Sequence, residues 1–349
     1  MTALPGRRCL LVAGIAAAWL AGCKVRVEAP PDSDGGVDDA RRAAADGAIR
    51  TGDGFTFVEA DWVDPARRRP VPVRLYLPAA APGRALPLVL FSHGLGGSRR
   101  GYSYLGSHFA RSGVASLHVQ HVGSDRGIWG GSPWELTARL QGAAQDAEAI
   151  ARVADLRFAL DRLLAPAAGD PTRVGIDRSR IAAAGHSYGA NTALLASGAR
   201  VERNGRAVDL RDPRIGAAIL ISAPPFYGER ALAGILRPVT LPTLHVTATG
   251  DDIRVPGFYS TFEDRVAVYE ASGSRRKALA VFQGGSHSIF TDRPGTGGAD
   301  LNPRVKRATQ DLSTAFLASV FDGRDDALRA WPQRHGEIVA RFEDGLATG

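Results

Sequence analysis

A chain of 349 residues, 44% hydrophobic and 23% charged, suits one large α/β domain of roughly 250–300 residues and is too apolar to be disordered or fibrous. Its formal charge of +7 comes from scattered arginines with no basic stripe interleaved with aromatics, so no nucleic-acid partner is indicated. Both cysteines, Cys9 and Cys23, fall within the first 23 residues, which leaves the rest without a disulfide or a cysteine metal site.

Residues 1–22 read as an export signal. Arg7 and Arg8 make a positive start, an apolar run follows over 9–19, and the segment ends in Leu20, Ala21 and Gly22 before Cys23. The run is too short and alanine-rich for a membrane span. Small residues before a cysteine resemble the bacterial lipoprotein signal, which implies a lipid on Cys23 and an anchor in the cell envelope. By the same resemblance Lys24, in place of aspartate, favours the outer membrane. Residues 23–53, rich in Pro, Asp, Gly and Ala, read as a flexible tether. A single folded domain is expected over 54–349, as a monomer.

Residues 55–62 and 71–76 alternate in strand fashion across a polar turn and predict an antiparallel pair. The continuous apolar run 86–91 predicts a strand buried on both faces, followed by a Gly-rich loop with His93, Gly94, Leu95, Gly96 and Gly97. A helix over 102–112 and a strand over 115–119 imply a parallel sheet. Residues 123–134, with Trp129 and Trp134 among glycines, either wall a substrate pocket or pack on the surface; His118 and His121 end the preceding strand near it. Apolar spacing predicts one long helix over 138–164. Further strands are expected over 181–184, 215–221, 243–247 and 277–282, and helices over 190–196, 263–271 and 305–321. The tail after Asp325 reads as helical and outward-packed.

The run Gly185, His186, Ser187, Tyr188, Gly189 fits G-x-S-x-G between a strand and a helix. That sharp turn lifts a serine hydroxyl above the sheet edge and aims the next N–H, that of Tyr188, at a developing oxyanion. Serine needs a base, and the base an orienting acid. His287 follows the strand 277–282, and Asp251 or Asp252 follows the strand 243–247. All would gather at the C-terminal edge of a parallel sheet. Asp251 is the favoured acid, Asp252 the alternative. The second oxyanion donor is expected from Leu95. His93, His121 and Trp129 are candidates for the substrate pocket, and His245, mid-strand, for the core.

These residues resemble the dienelactone hydrolase-like and platelet-activating-factor acetylhydrolase-like α/β-hydrolases over about 70–320. The resemblance rests on residues 91–98 with Tyr102, 152–160, 185–189, 248–251 and 285–287. It implies an α/β-hydrolase fold: a mostly parallel central sheet, helices on both faces, antiparallel N-terminal strands. It also implies an ester substrate, an acyl-enzyme on Ser187, and neither metal nor organic cofactor. Ala248 stands where the group has glycine, which keeps the choice of aspartate open. Ser187 stands where dienelactone hydrolases proper carry cysteine, which argues against that substrate. The expectation is a serine carboxylic-ester hydrolase favouring short-to-medium acyl esters. Alternatives are a lipase, polyester hydrolase or acyltransferase using the same triad, or a non-catalytic envelope lipoprotein.

Overall fold

A computed structural model describes residues 49–80, 85–165, 174–203, 205–228, 231–255 and 258–346. The export signal, Cys23 and positions 23–48 of the expected tether lie outside the described residues. The chain opens with β1 (Arg50–Gly52), β2 (Phe55–Asp64) and β3 (Arg69–Pro78), paired antiparallel with Glu59 opposite Arg74. The first described strand therefore lies at Arg50–Gly52, inside the expected tether. Ladder bonds to residues 55–57 hold that segment, which its composition alone would not order.

In chain order there follow β4 (Leu86–Ser92), α1 (Ser103–Arg111), β5 (Ala115–Val119), α2 (Leu136–Ala143), α3 (Asp146–Leu164), β6 (Ile176–His186) and α4 (Tyr188–Ala196). Next are a hairpin of β7 (Arg200–Arg203) and β8 (Arg206–Asp209), then β9 (Ala217–Ile221), α5 (Leu232–Leu236) and β10 (Thr243–Gly250). A second hairpin of β11 (Ile253–Val255) and β12 (Phe258–Ser260) precedes α6 (Phe262–Ala271) and β13 (Lys277–Ser286). The described chain closes with α7 (Leu301–Asp322), α8 (Asp326–Arg329), α9 (Trp331–His335) and β14 (Val339–Gly345).

The main sheet has the order β1-β2-β3-β5-β4-β6-β9-β10-β13-β14. Neighbours from β5 to β13 run parallel, flanked by antiparallel β3 and β14. Strand alternation divides the core into two layers. Leu88 and Leu90 of β4 pack with Leu156, Leu160 and Leu194 beneath α3 and α4. Val89 and Phe91 pack with Leu105, Phe109 and Phe316 beneath α1 and α7. Helices thus cover both faces, and the loops after β4, β6, β9, β10 and β13 share one edge.

Two further expectations change, and one hairpin was not foreseen. The long helix over 138–164 is two, because Gln145 is extended; Asp146 and Glu148 then occupy the first turn of α3, where the helix dipole favours acids. The tail is only partly helical: β14 pairs along β13 and covers an edge that would otherwise stay open, with Phe342 against the core. The hairpin β7–β8, short and mostly polar, carries no apolar run to announce it. No described helix is long and apolar enough to cross a membrane.

Candidate active site

Ser187 joins β6 to α4 at φ 55° and ψ −124°, a backbone conformation that L-residues rarely hold. The elbow is held by packing that only glycine permits. A Cβ on Gly185 would strike the backbone of Gly189, and one on Gly189 would strike the carbonyl of Ser92. The N–H of Ser187 donates to the Ile221 carbonyl at 2.9 Å, which ties the turn to β9. Tyr188 is the first residue of α4, so its N–H has no acceptor within the helix. The N–H of Leu95 likewise donates to no described protein acceptor. Both residues line one cavity of about 750 Å³ with Ser187 and His287.

Asp251 follows β10 and is fully buried, and its Oδ1 stands 2.6 Å from Nδ1 of His287. Its Oδ2 accepts from Ser222 Oγ at 2.5 Å and Thr247 Oγ1 at 2.7 Å. Burial by itself would raise this carboxyl. The charge and hydrogen bond of His287, then Arg265 and Ser222, outweigh it and hold Asp251 well below the usual carboxylate range. An ionised Asp251 can only accept, so Nδ1 of His287 carries the proton and Nε2 is left for other work. No hydrogen bond joins the Ser187 hydroxyl to the His287 ring among the described contacts; such bonds often form only with substrate in place. Asp252 is turned to the surface and pairs with Arg254 at 2.9 Å. Of the two candidate acids, Asp251 alone reaches the histidine.

A hydrogen-bond chain links the loop after β4 to the loop after β13. The Gly94 N–H donates to the Tyr102 hydroxyl at 3.4 Å, and Tyr102 donates to Nδ1 of His186 at 2.8 Å. The Nε2–H of His186 donates to the His287 carbonyl at 3.0 Å. Burial, with His287 beside it, pushes His186 down to about 3, so the ring stays neutral and can accept on one side and donate on the other.

Two expected pocket residues do not line the cavity. His93 donates from Nδ1 to the Gly94 carbonyl at 2.7 Å and accepts the His121 N–H on Nε2 at 3.1 Å. His121 bonds Ser92 Oγ at 2.9 Å and Asp155 Oδ2 at 3.1 Å. Ser92, His121 and Asp155 thus form a second serine–histidine–aspartate arrangement, wholly inside the protein. Arg152 braces it, donating to Ser92 Oγ, the His93 carbonyl, Ser124 Oγ and Thr192 Oγ1. Burial pushes His93 and His121 well below the usual histidine range, and Arg152 adds to it. These polar side chains brace the backbone of the loop after β4, and nearness to a strand end misplaced them in the pocket. Trp129 does line the cavity, and its indole N–H donates to the Gly96 carbonyl at 2.9 Å. His245 is a buried strand residue bonded to Thr243.

Sequence reading missed Ser222, Thr247 and the aromatic wall of Phe226, Tyr227 and Phe258. Ser222 and Phe226 follow β9 at the same sheet edge as the candidate triad, and that position was the available signal. Among the described residues no group of three His, Cys, Asp or Glu is placed to hold a metal.

A family profile, platelet-activating factor acetylhydrolase isoform II, matches residues 71–127. No curated protein matches. Solved structures match widely, with 746 chains, a breadth that points to fold and leaves the chemistry open. One is a ferulic acid esterase from Streptomyces cinnamoneus, 22% identical with a TM-score of 0.58, covering 82% of this chain and 95% of that one. At that identity the likeness is one of fold, and the chain has the α/β-hydrolase fold, a mostly parallel sheet clothed by helices on both faces.

Proposed function

We propose that the chain is a serine carboxylic-ester hydrolase working through an acyl-enzyme on Ser187. The observation that carries this reading is the meeting, at one cavity, of a serine at φ 55° and a histidine held at 2.6 Å by a buried aspartate. Ser187 Oγ attacks the ester carbonyl while Nε2 of His287 takes its proton. The Leu95 and Tyr188 N–H groups hold the oxyanion. His287 then protonates the departing alcohol, and water repeats the sequence to free the acid. Asp251 keeps the imidazole in one tautomer and offsets the charge it acquires. The matching family profile and the ferulic acid esterase support an ester as substrate. A cavity of about 750 Å³ is of ordinary small-ligand size and favours short-to-medium acyl chains. We also propose the lipid anchor at Cys23 in the bacterial envelope.

The test is hydrolysis of p-nitrophenyl butyrate and palmitate by the full chain beside Ser187→Ala. The variant should lose roughly 10⁴–10⁶ in kcat. Equal near-background rates for both proteins, with no labelling by a fluorophosphonate, would reject the enzyme in favour of a non-catalytic envelope protein.

A further inference from the structure

The cavity wall next to the nucleophile carries a polar side chain that no described residue satisfies. Asn191 lies on α4 one turn beyond Ser187, lines the cavity and is only 8% exposed. Its amide makes no hydrogen bond among the described residues, and its Oδ1 is buried without a partner. The hydroxyl of neighbouring Tyr188 is buried and unpaired as well. Leaving a buried polar group unmade costs more than the finished bond returns, so native proteins keep few of them, and each calls for a reason. Oδ1 and the Tyr188 hydroxyl are enclosed, whereas Asn191 Nδ2, also without a partner, is not enclosed and belongs to the wall of the cavity that holds the proposed nucleophile.

The surroundings say which part of a ligand would reach the Asn191 amide nitrogen. Tyr188, Asn191 and Leu195 stand on one face of α4, three and four residues apart, and all three line the cavity. Beyond them the lining is apolar, with Leu140, Ile150, Val201 and Val208. The Arg203–Asp146 ion pair holds this arm together, joining the β7–β8 hairpin to α3. A different arm carries Arg100, Thr291, Asp292 and Arg293, and the Ser103 N–H on Asp292 ties it to the start of α1. A chain attached to Ser187 and running along α4 enters the apolar arm and passes Asn191 on the way. Four residues of helix place Asn191 about 6 Å further along than Ser187.

We infer that Asn191 is a specificity-determining residue whose amide hydrogen-bonds an oxygen of the acyl group about 6 Å from the scissile carbonyl. This rests on the esterase reading and adds a substrate class to it. The acyl group carries an oxo or comparable oxygen near its fifth carbon and an apolar segment beyond. Asn191 Nδ2, which unlike Oδ1 is not enclosed, is the donor.

The experiment compares p-nitrophenyl octanoate with p-nitrophenyl 5-oxooctanoate by kcat/KM on the full chain. The wild type should prefer the oxo ester by roughly tenfold. Asn191→Leu should bring the ratio to one or below, since a ketone entering an apolar wall unpaired is penalised. Asn191→Ala, which cannot overpack, should do the same if the leucine variant fails to fold. A wild type that cleaves octanoate yet shows no preference would overturn the subsite and leave the esterase standing. A preference that survives both variants would overturn the role of Asn191. No cleavage of either ester, with no fluorophosphonate labelling, would remove the esterase reading and this inference with it.

Discussion

Asp251 holds His287 at 2.6 Å through one oxygen and is itself held by Ser222 and Thr247 through the other. Its geometry is therefore fixed from both sides. Asp251→Asn would present an amide to Nδ1, which favours the wrong tautomer, and kcat should fall about 10⁴-fold. Asp252→Asn should stay within about twofold of wild type, because that carboxylate only meets Arg254 at the surface. Steady-state kinetics of the pair checks both; a large loss in the Asp252 variant alone would reverse the assignment.

Stability should fall on the acid side in two stages. His93, His118, His121, His186 and His245 are all pushed down by burial from an ordinary 6.5. They stay neutral when folded and bind protons once unfolded below 6.5. The unfolded chain then holds more protons, so stability drops as pH falls. All five act in the same direction, so the decline is steep. Glu59 acts later. Burial would raise it, but its hydrogen bond to Arg100 and the charges of Arg74 and Arg99 bring it to about 2. Its stabilisation is present above 4.5 and lost between 4.5 and about 2. Urea midpoints should therefore fall steeply from pH 6.5 to about 5. Glu59→Gln should cost about 1–2 kcal/mol at pH 7, allowing for solvent screening, without changing that slope. A flat profile down to pH 4.5 would contradict neutral buried histidines.

Gly189→Ala should be among the most damaging small substitutions. The new methyl has the Ser92 carbonyl in its place, and backbone cannot rotate away as a side chain can. A loss of about 3 kcal/mol or more, with activity, is expected from thermal melts and ester assays. An active, stable variant would mean that β4 and α4 are further apart than described.

A fluorophosphonate should label Ser187 and leave Ser92 untouched, although both belong to serine–histidine–aspartate arrangements. Ser187 opens onto the cavity; Ser92 is fully buried and already bonded to His121 and Arg152. Peptide mapping of the adduct decides, and phosphonate on Ser92 would refute the distinction.

Cys23→Ser should release the protein from envelope membranes into the soluble fraction, as seen by fractionation of producing cells. Continued membrane association would remove the lipid anchor from the proposal.

The sequence located the residues that meet at the candidate site better than it located the walls around them. Ser187, Asp251 and His287 each follow a strand of the parallel sheet, and topology alone brings such positions to one edge. The period-two pattern of β2 and β3 and the continuous apolar run of β4 marked those strands equally well. What did not show is whatever depends on contacts distant in sequence. His121 looked like a pocket residue until Asp155 and Ser92, from other elements, claimed both ring nitrogens. The strand β14 becomes one by pairing with β13, not by its own composition. Gln145 breaks the long helix three residues after Gly142, a glycine whose signal the apolar spacing over 138–164 masked.

The chain Gly94, Tyr102, His186, His287 carries a consequence for how this site can change. Tyr102 and His186 each both give and receive, so replacing Tyr102 strands an acceptor on His186, and replacing His186 strands the Tyr102 proton and the His287 carbonyl. The effects of the two replacements cannot simply add. A variant lineage that reshapes the mouth of the cavity would have to exchange Tyr102 and His186 together, by a pair that restores the link, or leave both alone.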